Sequence, residues 1–101
     1  MKHYIRLHYH VPELGGELLN IAELEEIDAT ECTMVRMIEL DPGETITGIY
    51  VDGRVLGQAN QPTPTVPHPD LYTQFDGISA TRLTAEEFEG LWEEARAKFP
   101  G

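Results

Sequence analysis

The stretch from Thr84 to Phe99 (TAEEFEGLWEEARAKF) constrains the fold more than any other part of the chain. Thr84 stands three residues before Glu87, so hydroxyl and carboxylate can each satisfy a backbone N–H of a first helical turn, as in a capping box. Phe88, Leu91, Trp92, Ala95 and Phe99 recur at spacings of three and four and form one stripe, while Glu86, Glu89, Glu93, Glu94 and Lys98 fall outside it. Carboxylates crowd the first turns and Arg96 and Lys98 the last, which suits the helix dipole, and Pro100-Gly101 ends the helix. So aromatic a stripe needs a partner surface, and the rest of the chain should supply a sheet. Trp92→Ala is expected to be the most damaging helix substitution, at about 3–5 kcal/mol.

The remaining segments read mostly as strands. His3, Ile5, Leu7, Tyr9 and Val11 alternate with Tyr4, Arg6, His8 and His10, and Pro12 closes the strand. Tyr4 is expected to be exposed beside Arg6 and His8. Residues 13–31 are ambiguous: Gly15-Gly16 breaks the chain, and Glu17 to Asp28 favours a helix or helical turn, with a strand as the alternative. Glu31 to Leu40 places Met34, Arg36, Ile38 and Leu40 opposite Thr33, Val35, Met37 and Glu39. Asp41-Pro42-Gly43-Glu44 is a turn, Thr45 to Val51 the next strand, and Asp52-Gly53 a two-residue hairpin signal before Arg54 to Ala59. Residues 33–59 are therefore expected to form a three-strand meander. Four prolines between Asn60 and Pro69 forbid a helix or a central strand, leaving an extended, stiff crossing. Asp70 to Phe75 suits a single helical turn with Leu71 and Phe75 inward, and Ile78 to Leu83 a short edge strand or extended lead into the helix. The sum is one α+β domain over residues 1–101: an antiparallel sheet of four to five strands with the C-terminal helix across one face.

Composition then narrows the function. The 18 acidic and 7 basic residues give a formal net charge of −11, which disfavours nucleic acid and anionic membranes and would speed encounter with a basic partner. No apolar run approaches the roughly 20 residues of a membrane span. The opening MKHYIRLHYH has neither an apolar core nor a cleavage site, so no signal peptide is expected. A lone Cys32 excludes an internal disulfide and fits a reducing cytoplasm; with Glu31 beside it, it reads as a small apolar strand residue.

Catalytic signatures are missing: no nucleophile is set against a base, and no Gly-rich loop could cradle phosphate. His8 and His10 share a strand face, and His68 could approach them from the proline segment, but the spacing matches no known metal site. No cofactor, metal or enzymatic activity is expected. The acidic residues Glu23, Glu25, Glu26, Asp28, Glu31, Asp41, Glu44 and Asp52 serve better as a partner-binding surface, which needs no pair geometry to attract a basic protein.

Three stretches together resemble a family of small bacterial proteins catalogued as a domain of unknown function. KHYIRLHYH resembles its opening strand, an Ile-Arg-Val core with aromatic and His residues. IYVDGRVLGQA is similar to its central hairpin, and ISATRLTAEEFEGLWEEA to its ending, with the proline segment as the approach to that helix. Residues 12–31 depart from the pattern by being longer. The resemblance implies a compact α+β domain and brings no catalytic residues. In size and acidity, family members resemble the immunity proteins encoded beside polymorphic toxins. The expectation is a cytoplasmic immunity or antitoxin protein that occludes the basic active-site cleft of a cognate toxin. The alternatives are a phage-type inhibitor or nucleic-acid mimic of a host nuclease complex, or a small accessory domain. Oligomeric state is left open.

Overall fold

A computed structural model describes residues 1–11, 16–41, 43–59, 61–74 and 77–100. Pro12, Gly15, Pro42, Asn60, Phe75 and the side chain of His10, on which some of the expectations rest, lie outside the described residues. The elements run β1 (Lys2–Val11), β2 (Gly16–Glu26), β3 (Glu31–Leu40), β4 (Ile46–Val51), β5 (Arg54–Gly57), β6 (Thr65–Pro67), a 3₁₀ helix (Pro69–Gln74), β7 (Ile78–Arg82) and α1 (Ala85–Lys98). The sheet is antiparallel in the order β5-β4-β3-β2-β1-β7. One edge of β3 is taken by β2; the other is shared, with β4 on residues 36–40 and β6 on residues 31–33.

The helix forms as its stripe requires. Thr84 accepts from the Glu87 N–H, Glu87 accepts from the Thr84 N–H, and Phe88, Trp92 and Ala95 are buried. They meet Leu19, Ile21, Ile38, Leu40, Ile46 and Ile49 of the sheet, with Leu91 and Phe99 at the margin. The β3-β4-β5 meander is as expected, and Asp52 and Gly53 both take positive φ (51° and 76°), as the Asp-Gly turn demands.

Three expectations change. Among the described residues the sheet has seven strands rather than four to five; the additions are β2, where the sequence favours a helix, and β6, inside the proline segment. β2 misled because it is buried on both faces: Leu19 and Ile21 lie under the helix, Ala22 and Leu24 on the opposite side. A strand covered on both faces loses the alternation that identifies a strand. The pairing of β2 with β3 skips Val35 between Glu23 and Leu24, so Met34 packs with Ala22 and Leu24 rather than with Ile38 and Leu40. Tyr4 is not exposed: its ring packs 5.3 Å from that of Phe88.

The second face is covered by the proline segment and the 3₁₀ helix. Ile5, Leu7, Ala22, Leu24, Cys32 and Tyr72 form its core, with Tyr9, Met34, Val66 and Ile78 around them. Burial pushes the Cys32 thiol and the Tyr72 hydroxyl above their ordinary ranges. Between this face and the proline segment lies a largely apolar cavity of about 410 Å³, with Tyr9, Asn20, Glu39, Thr63 and Tyr72 as its polar-bearing lining.

Candidate functional site at one end of the sheet

Antiparallel pairing brings the start of β1 and the end of β2 together: Lys2 faces Glu25, and the Glu26 N–H donates to Met1 O at 2.8 Å. The β2–β3 turn projects beyond them and is held from within. Asp28 Oδ1 accepts from the Thr30 N–H (2.8 Å), the Thr30 hydroxyl (2.8 Å) and the Glu31 N–H (2.9 Å), while Ile27 and Asp28 both donate to Glu31 O. These donors, the Thr30 N–H foremost, hold the Asp28 carboxyl below its usual range. Glu25, Asp28 and Glu31 are exposed, and so are Met1 (80%) and Ile27 (54%), the two large apolar side chains most open to solvent among the described residues.

Beneath the turn lies a polar cluster. Glu26 Oε1 contacts His3 Nε2 and His68 Nε2, each at 2.8 Å, and the two imidazole rings meet edge-on with centroids 4.8 Å apart. His68 is tied to the turn by its N–H, which donates to Thr30 O. The protons can be placed. Arg82 Nη1 lies 3.0 Å from His3 Nδ1, and the Asp70 N–H 3.1 Å from His68 Nδ1. Guanidinium and backbone N–H only donate, so both Nδ1 atoms accept and both protons sit on Nε2, aimed at Glu26. Hydrogen bonds from His3 and then His68 accordingly hold Glu26 below the usual carboxylate range. Arg82 also pairs with Asp70.

Of the eight carboxylates expected to face a partner, the fold gathers Glu25, Glu26, Asp28 and Glu31 at this end. Glu23 is on β2 but buried, bonded to Arg36, Lys2 and the Tyr4 hydroxyl. Asp41 and Glu44 lie at the far end of β3, roughly 30 Å away by the rise of an extended strand. There Asp41 accepts from the Thr45 N–H and Glu44 pairs with Arg6. Asp52 stands exposed in the β4–β5 turn. His68 joins His3 rather than His8. The sequence places His3 on the apolar face of β1, and an imidazole on such a face needs a buried polar partner, which is the signal for the cluster.

No family model, curated protein or solved structure matches the chain. Among the described residues no helix is long and apolar enough to cross a membrane.

Proposed function

We propose that this protein neutralises a cognate bacterial toxin by direct binding, with the β2–β3 end of the sheet covering a basic active-site cleft. It acts in the cytoplasm and performs no chemistry of its own. The observation that carries the reading is that Met1 and Ile27 are both exposed on adjoining backbone, at the same end of the sheet as the exposed Glu25, Asp28 and Glu31. Apolar side chains beside exposed polar ones suit an interface, whose buried centre is apolar and whose margin is polar and solvent-accessible. The Asp28 hydrogen bonds fix the turn before any partner arrives, so little conformational freedom is lost on binding. The formal charge of −11 steers a basic partner toward the molecule.

The test is binding to an inactive form of the toxin encoded by the adjacent gene. A stoichiometric complex is expected whose association slows with salt. Ile27→Asp should weaken it by about 2 kcal/mol or more, mainly through faster dissociation. Charge reversal at Glu25 and Glu31 should slow association and flatten its salt dependence. No complex at micromolar concentration, or kinetics indifferent to all three substitutions, would refute the reading.

A further inference from the structure

We propose that His3, Glu26 and His68 form a binding site for one divalent cation of the zinc class. One ligand atom from each residue lies within 4.8 Å of the other two, and both imidazole nitrogens already face a single carboxylate oxygen. Two imidazoles and a carboxylate suit zinc and its late first-row neighbours, and three protein ligands leave a fourth position for water. Magnesium and calcium, which take shells of oxygen, are poorly served by this donor set. Bonds of about 2.0–2.2 Å to zinc set neighbouring ligand atoms about 3.3 Å apart, so each 2.8 Å contact opens by about 0.5 Å on loading. The ligands come from β1, from the end of β2 and from the segment before the 3₁₀ helix. Both imidazoles are buried while Glu26 is 32% exposed, so an ion enters along the Glu26 side.

Loading requires each imidazole to change tautomer: the Nε2 proton leaves to solvent, Nδ1 takes one up, and the freed Nε2 lone pair binds the ion. For His68 the Asp70 N–H must release Nδ1, but the same residue offers an acceptor: Asp70 Oδ2 lies 3.6 Å from Nδ1 and would complete a carboxylate–histidine–metal arrangement. For His3 the Arg82 guanidinium opposes the change and must swing aside while keeping its pair with Asp70. Arg82 is thus a brake on the site, and its loss should tighten binding, whereas loss of a merely structural contact would not.

The experiment is titration of the full chain with Zn²⁺ by calorimetry and with Co²⁺ by visible absorption. One ion per chain is expected, with the intense bands of tetrahedral cobalt. His68→Ala and Glu26→Gln should each weaken binding by more than about tenfold, and Arg82→Met should strengthen it. Melting curves without metal report whether each variant is folded. Independently of any variant, long-range ¹H–¹⁵N spectra of the unsubstituted chain should show Nε2 of His3 and His68 shifting on Zn²⁺ addition. Absence of binding up to millimolar Zn²⁺, binding that survives both ligand substitutions, or shifts confined to His8 and His10 would overturn the proposal.

Discussion

One face of the sheet is closed by a regular helix, the other by a strap of prolines and a short 3₁₀ helix. Both faces are apolar at their centres, with Ile38 and Ile49 as deeply buried under α1 as Ile5 and Leu24 are under the strap. What differs is the fit. A helix turns a row of long side chains toward the sheet every three or four residues, so Phe88, Trp92 and Ala95 interlock with Leu19, Ile21 and Ile38. Arg36 seals that seam, lying 4.9 Å from the Phe88 ring centre and 5.0 Å from that of Trp92 while bridging Glu23 to Glu89. A stiff strap with few apolar side chains cannot follow the pleat in the same way, and it stands off above the 410 Å³ cavity. Equal burial is compatible with very unequal packing.

The largest expected effect lies on the helix side. Phe88→Ala should cost about 3–5 kcal/mol in a denaturant titration, and more than Trp92→Ala, reversing the order the sequence stripe predicts, because Phe88 is completely buried while Trp92 retains 9% exposure. The reverse ranking would mean that the tight centre of the seam is misplaced. Next comes a matched pair of enlargements at two fully buried alanines. Ala95→Leu, beneath the helix, should destabilise by about 1–3 kcal/mol through overpacking. Ala22→Leu, which grows into the cavity, should cost less than about 1 kcal/mol or stabilise, and equal losses at both sites would erase the distinction between the faces.

A smaller effect concerns Glu23. Burial alone would raise its carboxyl pKa, but hydrogen bonds and charge from Arg36 and Lys2 outweigh that and leave it lowered. A carboxyl more acidic folded than unfolded adds stability above its unfolded value, and that stability disappears as pH falls through the folded value. Glu23→Gln should therefore cost about 1–3 kcal/mol at neutral pH and flatten the acid limb of the stability curve. An unchanged acid limb would show that Glu23 contributes nothing to it.

The helix was legible because its stripe, cap and dipole complement all point the same way, and the Asp52-Gly53 hairpin because that dipeptide accepts positive φ at both positions. β2 was not legible, since Leu19, Ile21, Ala22 and Leu24 serve two cores and so present no single period. The acidic end was half legible. Glu25, Asp28 and Glu31 stood out by density, but nothing local reveals that Glu23 turns inward to Arg36, or that His3 and His68 meet across most of the chain. Such meetings depend on strand order, which no local pattern encodes.

The position of β1 between β2 and β7 bears on how the molecule is made. Strands β1 to β5 each pair with the next in sequence, so they can assemble as a growing series of hairpins while the chain is synthesised. The outer edge of β1 has no such neighbour; Ile5 and Tyr9 wait for Arg82 and Ile78, which are made only after β2 to β6. Until then the nascent sheet carries an open edge and an uncovered apolar face, and contacts this distant in sequence form slowly. This topology predicts that β7 and α1 dock together after the hairpin series has formed, a sequence that φ-values at Ile78 and Phe88 near zero would support. A chain stalled before residue 78 would be the species most prone to aggregate.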